Sequence, residues 1–419
     1  MKRWAFRLIT ALVGVALSLG AVELMATLWL WQEDGYYTPA DRLFERTQNT
    51  FVRDITRGSD CRYVDTLFPH PYLAFVHHAN PPCGDANINN VGLFNDDFPT
   101  IRRGDRFTIL LTGGSVASQL GQSAKAPPAP KFLEEELNRH YISPNGQPFL
   151  VLNGADGGWK EPQQFILFAM YAGSVDAVVT LDGYNEIYFF PLANERLESP
   201  LSNFIDANPF VADENFGDAA IGWVMGRFAG ALSRLPVVGH SHAVYMIVRG
   251  IESLAKHQEF FAAKGHSKRT TLLGLFRLPE DALGDAKRTF AIEVGLYRKY
   301  KRGIEAIARD NGVLAAYFLQ PVPLWGKQLT EEERRASGSV DYGAAYRRMV
   351  DGMMALREGG LRIYDLGDLF EDVKERIYED HIHFIHSSDG DSPGYRMMAA
   401  RMGRDLAEAW SLKRRAPEK

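Results

Sequence analysis

The chain has 419 residues, 46% hydrophobic and 24% charged, the balance of a globular protein long enough for one large domain with additions or for two. Its formal net charge is −5, and no extended basic run precedes the tail "LKRRAPEK" (411–419 reads as a basic tail), so nucleic acid is not an expected partner. The two cysteines, Cys61 and Cys83, sit at no metal-ligand spacing, which argues against zinc.

The first predicted element is an apolar helix over residues 1–32. Lys2, Arg3 and Arg7 precede an apolar run from Leu8 to Val22, which resumes from Leu24 to Trp31 with Glu23 as the one charge between. Crossing a bilayer takes about 20 helical residues, and the segment reaches that length if Glu23 lies near the far interface. Basic residues before the run and none directly after it place the N-terminus in the cytoplasm and the rest outside, on the periplasmic side if the cell is bacterial. The segment reads as a transmembrane signal-anchor with Trp29 and Trp31 as an interfacial belt. A cleaved signal peptide, with Leu8 to Gly20 as its apolar core, is the alternative, and either one exports the chain. Residues 33–105 read as an irregular extracytoplasmic extension containing both cysteines. An oxidising compartment would let Cys61 and Cys83 pair as a disulfide, two unpaired buried thiols being the alternative.

From residue 106 to 410 the chain alternates. Short apolar or β-branched runs at 107–112, 149–153, 176–181, 313–320 and 361–365 predict strands. Helical patterns lie between them at 131–141, 161–173, 285–312 and 342–360, the last two closed by Asn-Gly and Gly-Gly. Strands separated by helices predict an α/β fold with a parallel sheet covered on both faces. Between the third and fourth strands the spacing is far more than one crossover needs, and residues 190–285 read as a helical insertion. Its segments "AAIGWVMGRFAGALSRL" and "HAVYMIVRGIESLAKHQEFFAAK" are amphipathic. They suit an accessory packing layer, a lid, or a surface that touches lipid or polysaccharide.

In open α/β sheets ligands bind beyond the carboxyl ends of the strands. The first strand ends in Gly113-Gly114-Ser115, the second in "NGADGGW", the third in "DGYNE", and the fifth is followed by "YEDHIHF". A serine hydroxyl becomes a nucleophile only beside a positioned base, and Asp380 lies three residues before His383, close enough for one turn to let the carboxylate orient the imidazole.

Over roughly residues 105–408, these blocks together resemble the SGNH hydrolase superfamily, the GDSL-like esterases and lipases. The resemblance implies a three-layer α/β/α domain with a five-stranded parallel sheet of flavodoxin-like type. It implies that Ser115 is the nucleophile and that His383 and Asp380 complete a triad. Gly158, from the block Asn153 to Gly158, and Asn185, from Gly183-Tyr184-Asn185, would form the oxyanion hole together with the backbone N–H of Ser115. "DSPGYRMMAARMG" is similar to the family's closing helix. Gly114 stands where the family usually has Asp, and Glu186 where Asp is frequent. "NNVGLFNDDFP" is similar to a lead-in found in membrane-anchored members, with Asn95 in place of a frequent Arg.

Other readings attach to the neighbouring residues. His381 and His386 read as neighbours of the catalytic loop rather than metal ligands, and no metal or cofactor is expected. Lys160 and Glu161, next to the oxyanion glycine, could touch substrate but read rather as a surface pair at a helix start. Trp159 and Tyr184 are candidates for substrate contact or plain packing. The expected function is an ester-cleaving enzyme, a membrane-anchored extracytoplasmic serine hydrolase acting on an O-acyl group such as the O-acetyl of an envelope glycan, or on a small ester. An O-acetyltransferase or a lipase would use the same residues. A catalytically silent scaffold within an envelope polysaccharide machinery is the rival of another class.

Overall fold

A computed structural model describes residues 2–35, 37–40, 43, 67–78, 87–121, 130–187, 238–251, 285–337, 343–387 and 390–416. Cys61, Cys83 and the segment "AAIGWVMGRFAGALSRL" lie outside them. The chain divides into two compact units, one of residues 1–49 and 212–266, the other of residues 50–211 and 267–419.

The first unit holds helix α1 (Lys2–Asp34). Within it Phe6–Glu33 is long and apolar enough to cross a membrane, and the apolar side chains of its first half are exposed. A signal sequence near an N-terminus has the same length and composition. Residues 242–251 add a second helical stretch to this unit.

In the second unit the expected irregular extension contains a hairpin, β1 (Leu67–His70) against β2 (Ala74–His77). Two four-residue strands of mixed His, Pro and aromatic composition leave no periodicity to detect. The five expected strands then follow as β3 (Phe107–Gly113), β4 (Phe149–Ala155), β5 (Ala177–Asp182), β6 (Leu314–Leu319) and β7 (Ile363–Asp365). All four pairings are parallel, in the order β4-β3-β5-β6-β7. Numbered among themselves these strands run 2-1-3-4-5, an order of the doubly wound type. Every residue of β3, β4 and β5 is buried, as expected of central parallel strands with both faces covered. Each buried Val, Leu or Ile there contributes about 1.5–3 kcal/mol.

The covering helices carry the signals read from the sequence. Helix α2 (Ser115–Gly121) follows β3 directly, α3 (Phe132–His140) precedes β4, and α4 (Gln163–Tyr171) lies between β4 and β5. Helix α5 (Tyr184–Ile187) is a single turn after β5. The long α6 (Ala286–Asp310) is capped by the Asp285 side chain, which accepts from the Lys287 and Arg288 N–H groups, and ends at Gly312 with φ of +64°. Helices α7 (Glu331–Ala336) and α8 (Gly343–Met354) lead into β7. Helix α9 (Pro393–Trp410) starts at the Ser392 cap and buries Tyr395, Met398, Ala399, Met402 and Leu406, one face of a 3.6-residue repeat.

This topology places the site. The chain leaves β3 for β4 on one side and later fills β5 on the other, so the carboxyl ends of β4, β3 and β5 lie side by side at the switch point. Gly113 is level with Ala155 on one neighbour and Leu181 on the other. Residues 114–115, 156–158 and 183–185 therefore emerge together.

Candidate active site

Ser115 opens α2 at the end of β3. The turn before it needs glycine twice. Gly113 has φ of +154°, and a Cβ there would meet the Leu181 carbonyl oxygen at 2.1 Å. A Cβ on Gly114 would meet the Asn185 amide nitrogen at 2.2 Å. Glycine at position 114 thus leaves room for the Asn185 side chain.

The loop after β7 brings His383 to Ser115. The Nε2 of His383 lies 2.7 Å from Ser115 Oγ, and its Nδ1 lies 2.8 Å from Asp380 Oδ2. A carboxylate only accepts, so Nδ1 carries the hydrogen and Nε2 is left to accept the serine O–H. Asp380 is fixed in turn, its Oδ1 accepting the backbone N–H groups of Ile382 at 2.8 Å and His383 at 2.7 Å. Burial works against the Asp380 charge, but His383 and these donors outweigh it and hold the carboxyl well below the usual range. His381 is pushed down by burial, with Asp380 opposing, and its ring lies 5.9 Å from that of Tyr184.

Two further donor positions flank the serine. Gly158 has φ of +75°, a left-handed conformation that favours glycine, in the loop after β4. Asn185 Nδ2 donates to the Trp159 carbonyl at 2.8 Å, which spends one of its two hydrogens and fixes the direction of the other. The first N–H groups of a helix have no intrahelical partner, which leaves that of Ser115 available. The structure thus brings Ser115, His383, Asp380 and Asn185 together and sets Gly158 in the adjoining loop.

The aromatic candidates are in the core. Trp159 is 0% exposed, with its ring edge-on to Phe75 at 6.2 Å, and Tyr184 is buried as well. Neither presents an open face for a sugar. His386 faces the Gln119 side-chain oxygen at 3.2 Å and the Gly390 carbonyl at 3.1 Å, and Gln119 also accepts from the Tyr395 hydroxyl at 2.6 Å. This network joins α2 to α9 beside the triad.

The expected surface pair Lys160 and Glu161 is corrected by the structure, since both are buried. Glu161 belongs to a charge cluster that no local motif announced. The Lys301 ammonium, on α6, donates to Glu161 at 2.7 Å, Asp182 at 2.5 Å, Thr180 at 3.1 Å and Gln164 at 3.3 Å. Tyr297, one turn earlier, donates to Asp182 at 3.0 Å. Glu186 accepts from the Gly183 N–H at 2.8 Å, and the Glu161 N–H and Gln164 amide approach it at 3.4 Å. The cluster joins the loop bearing Gly158 to the loop bearing Asn185. Burial opposes the Lys301 charge, yet Asp182 and Glu161 outweigh it and keep the ammonium ionised. One ammonium cannot balance three carboxylates, and Glu186, which it does not touch, is pushed up to about 8 by burial and by Asp182. Glu293, one turn before Tyr297, is pushed up to about 7 by burial, with Lys160 opposing.

A second buried pair pins the β4 loop from the other side. Asp156 accepts the Gly157 N–H at 2.7 Å and lies 3.2 Å from the Nε2 of His77 on β2, and its own N–H donates to the Gly113 carbonyl at 3.3 Å. The sequence offered one faint signal for each. Lys301 interrupts the apolar stripe Tyr297, Ile304 and Ala308, and Asp156 falls inside the glycine-rich block. No family model matches the chain, and a search of the curated proteins finds no match either.

Proposed function

We propose that the chain is a serine esterase of SGNH type, held at the membrane by α1 with its catalytic unit outside the cytoplasm. Its substrate would be an O-acyl ester, with the O-acetyl group of an envelope or extracellular glycan as the preferred class. The observation that carries the reading is the continuous relay from Ser115 through His383 to Asp380, at 2.7 and 2.8 Å, beside the Asn185 amide.

Each part has one task. His383 Nε2 takes the Ser115 proton as Oγ attacks the ester carbonyl, and the negative charge passes to the carbonyl oxygen. The N–H groups of Ser115 and Gly158 and the free hydrogen of the Asn185 amide are aimed where that charge develops, each such donor being worth about 3–4 kcal/mol. His383 then gives the proton to the leaving alcohol, which departs and leaves an acyl group on Ser115. Water, activated by the same imidazole, releases the acid and restores the serine. Asp380 holds the ring in the required tautomer throughout. A sugar hydroxyl in place of water would make the same site a transferase.

A direct test pairs the full-length protein with its Ser115→Ala variant in p-nitrophenyl acetate hydrolysis and looks for an acetylated Ser115 peptide by mass spectrometry. Turnover and an adduct in the parent, both absent in the variant, are expected. Equal rates and no adduct would sink the reading.

A further inference from the structure

The unit formed by residues 1–49 and 212–266 contains an ion arrangement that the esterase chemistry does not use. Glu23 interrupts the apolar surface of α1, and its carboxylate caps the N-terminus of the 242–251 helix. It accepts the Ser241 hydroxyl at 2.6 Å and the backbone N–H groups of His242 at 2.6 Å and Ala243 at 3.1 Å. The Nδ1 of His242 faces it at 3.2 Å, and the Nε2 of that ring faces the Thr38 carbonyl at 2.8 Å. Further along α1, Glu33 accepts both arms of the Arg249 guanidinium at 2.8 and 3.0 Å. The two helices therefore run side by side in the same direction, with Leu30 and Tyr245 in one small apolar cluster between them.

Helix geometry gives the depth of these groups. Arg7 and Trp29, the outermost anchors of the apolar run, are separated by about 33 Å at 1.5 Å per residue, close to the roughly 30 Å hydrocarbon thickness of a bilayer. Glu23 then lies about 9 Å inside the Trp29 and Trp31 belt. A carboxylate at that depth requires donors from the protein, because lipid supplies none. The donors it has are the first N–H groups of a helix, with the positive end of that helix's dipole behind them. Those groups must share its depth. Arg249 and Glu33, by the same measure, fall beyond the belt at the water interface. The stretch from Ala243 to Val248 carries no charge, and Ile247 on its outer side is 57% exposed, as are Leu24, Met25, Leu28 and Trp29 to similar degrees on α1.

We propose that residues 242–248 are a second membrane-inserted segment, embedded beside α1 in the leaflet distal to the N-terminus, with lipid acyl chains as the partner of the Ile247 face. The proposal rests on α1 being a retained anchor. It is favoured by continuity, since the uncovered apolar face of the second helix extends that of the first. It also accounts for an acid in a spanning helix, which is tolerable once a helix N-terminus is built over it.

The test uses the full-length protein in phosphatidylcholine–phosphatidylglycerol nanodiscs, carrying Ile247→Cys, Val13→Cys or Ile101→Cys. Val13 lies in the first half of α1, and Ile101 is 75% exposed on the other unit. Each is treated with a charged, membrane-impermeant maleimide. Modification is read at the substituted position by peptide mass spectrometry and normalised to the rate in dodecyl sulfate. Ile247→Cys and Val13→Cys are expected to react at least tenfold more slowly than Ile101→Cys. An intact-mass measurement showing the full chain, with Ile247→Cys as fast as Ile101→Cys and Val13→Cys slow, would overturn the proposal and leave a helical stalk standing in water. A mature protein lacking the first residues would overturn the anchor reading and the proposal with it.

Discussion

The Ser115–His383–Asp380 relay and the Lys301 cluster are two polar assemblies of the same compact unit, built in opposite ways. His383 and Asp380 lie three residues apart in one loop, and Ser115 sits at the end of a central strand. Only one long-range contact, Ser115 to His383, completes the relay. Its serine remains partly open, while His383 behind it is buried. The cluster instead draws Lys301 from α6, Glu161 from the loop after β4, and Asp182 and Glu186 from the end of β5, with Lys301, Glu161 and Asp182 buried and Glu186 half-buried at its edge. A site that moves protons keeps short, reversible contacts. A site that fixes loops can use buried charge, because its members never need to change partners.

This contrast is sharpest when each assembly loses one carboxylate or ammonium. Asp380→Asn leaves the loop contacts largely in place but removes the acceptor that sets the His383 tautomer. An activity loss of about 10⁴ in kcat is expected, measured with p-nitrophenyl acetate, with little change in the urea midpoint. An equal loss of stability would mean that the triad, like the cluster, is chiefly a structural tie.

Lys301→Met should do the reverse. It leaves Glu161 and Asp182 buried without their cation, a loss that costs about 3–5 kcal/mol for a buried pair. Urea unfolding would show it directly. Adding Glu161→Gln and Asp182→Asn to Lys301→Met removes the stranded charges, and much of the stability should return. If the triple variant regains stability but not activity, the ion network also aligns the two donor loops. If both return, its role is folding alone.

The same contrast explains what could be read from the sequence. The strands were visible because β3, β4 and β5 are apolar on both faces, and α6 and α9 because caps and periodicity agree. Three of the site blocks were legible because each ends a strand, and the fourth because Asp380 and His383 lie three residues apart. The cluster was not legible, because its partners are 119 to 140 positions apart along the chain. Lys160 and Glu161 looked like a solvated pair for that reason, since nothing near them in sequence shows what buries them. The β1–β2 hairpin was missed on composition, yet its His77 reaches the Asp156 that holds the β4 loop. Much of the insertion at 190–285 lies outside the described residues.

The smallest expected effect separates the two assemblies by pH. Asp380 has a lowered carboxyl pKa, so its contribution is present at neutral pH and is lost as pH falls below the ordinary carboxylate range. Glu186 is shifted the other way, up to about 8. Between an unfolded value of about 4.3 and that folded value, the native state holds a proton that the unfolded chain has released. Stability supplied by this group is therefore complete in mild acid and declines as pH rises toward 8. Glu293, pushed up to about 7, adds to the same decline. Glu186→Gln carries no titrating proton in either state while keeping an oxygen to accept the Gly183 N–H. It should flatten the slope of unfolding free energy between pH 5 and 8 by at most about 1.4 kcal/mol per pH unit, one proton's worth. Urea unfolding at half-unit pH intervals gives that slope. An unchanged slope would place the excess proton on Glu161, whose carboxyl burial also pushes up, and Lys301 would then be paired with one carboxylate rather than two.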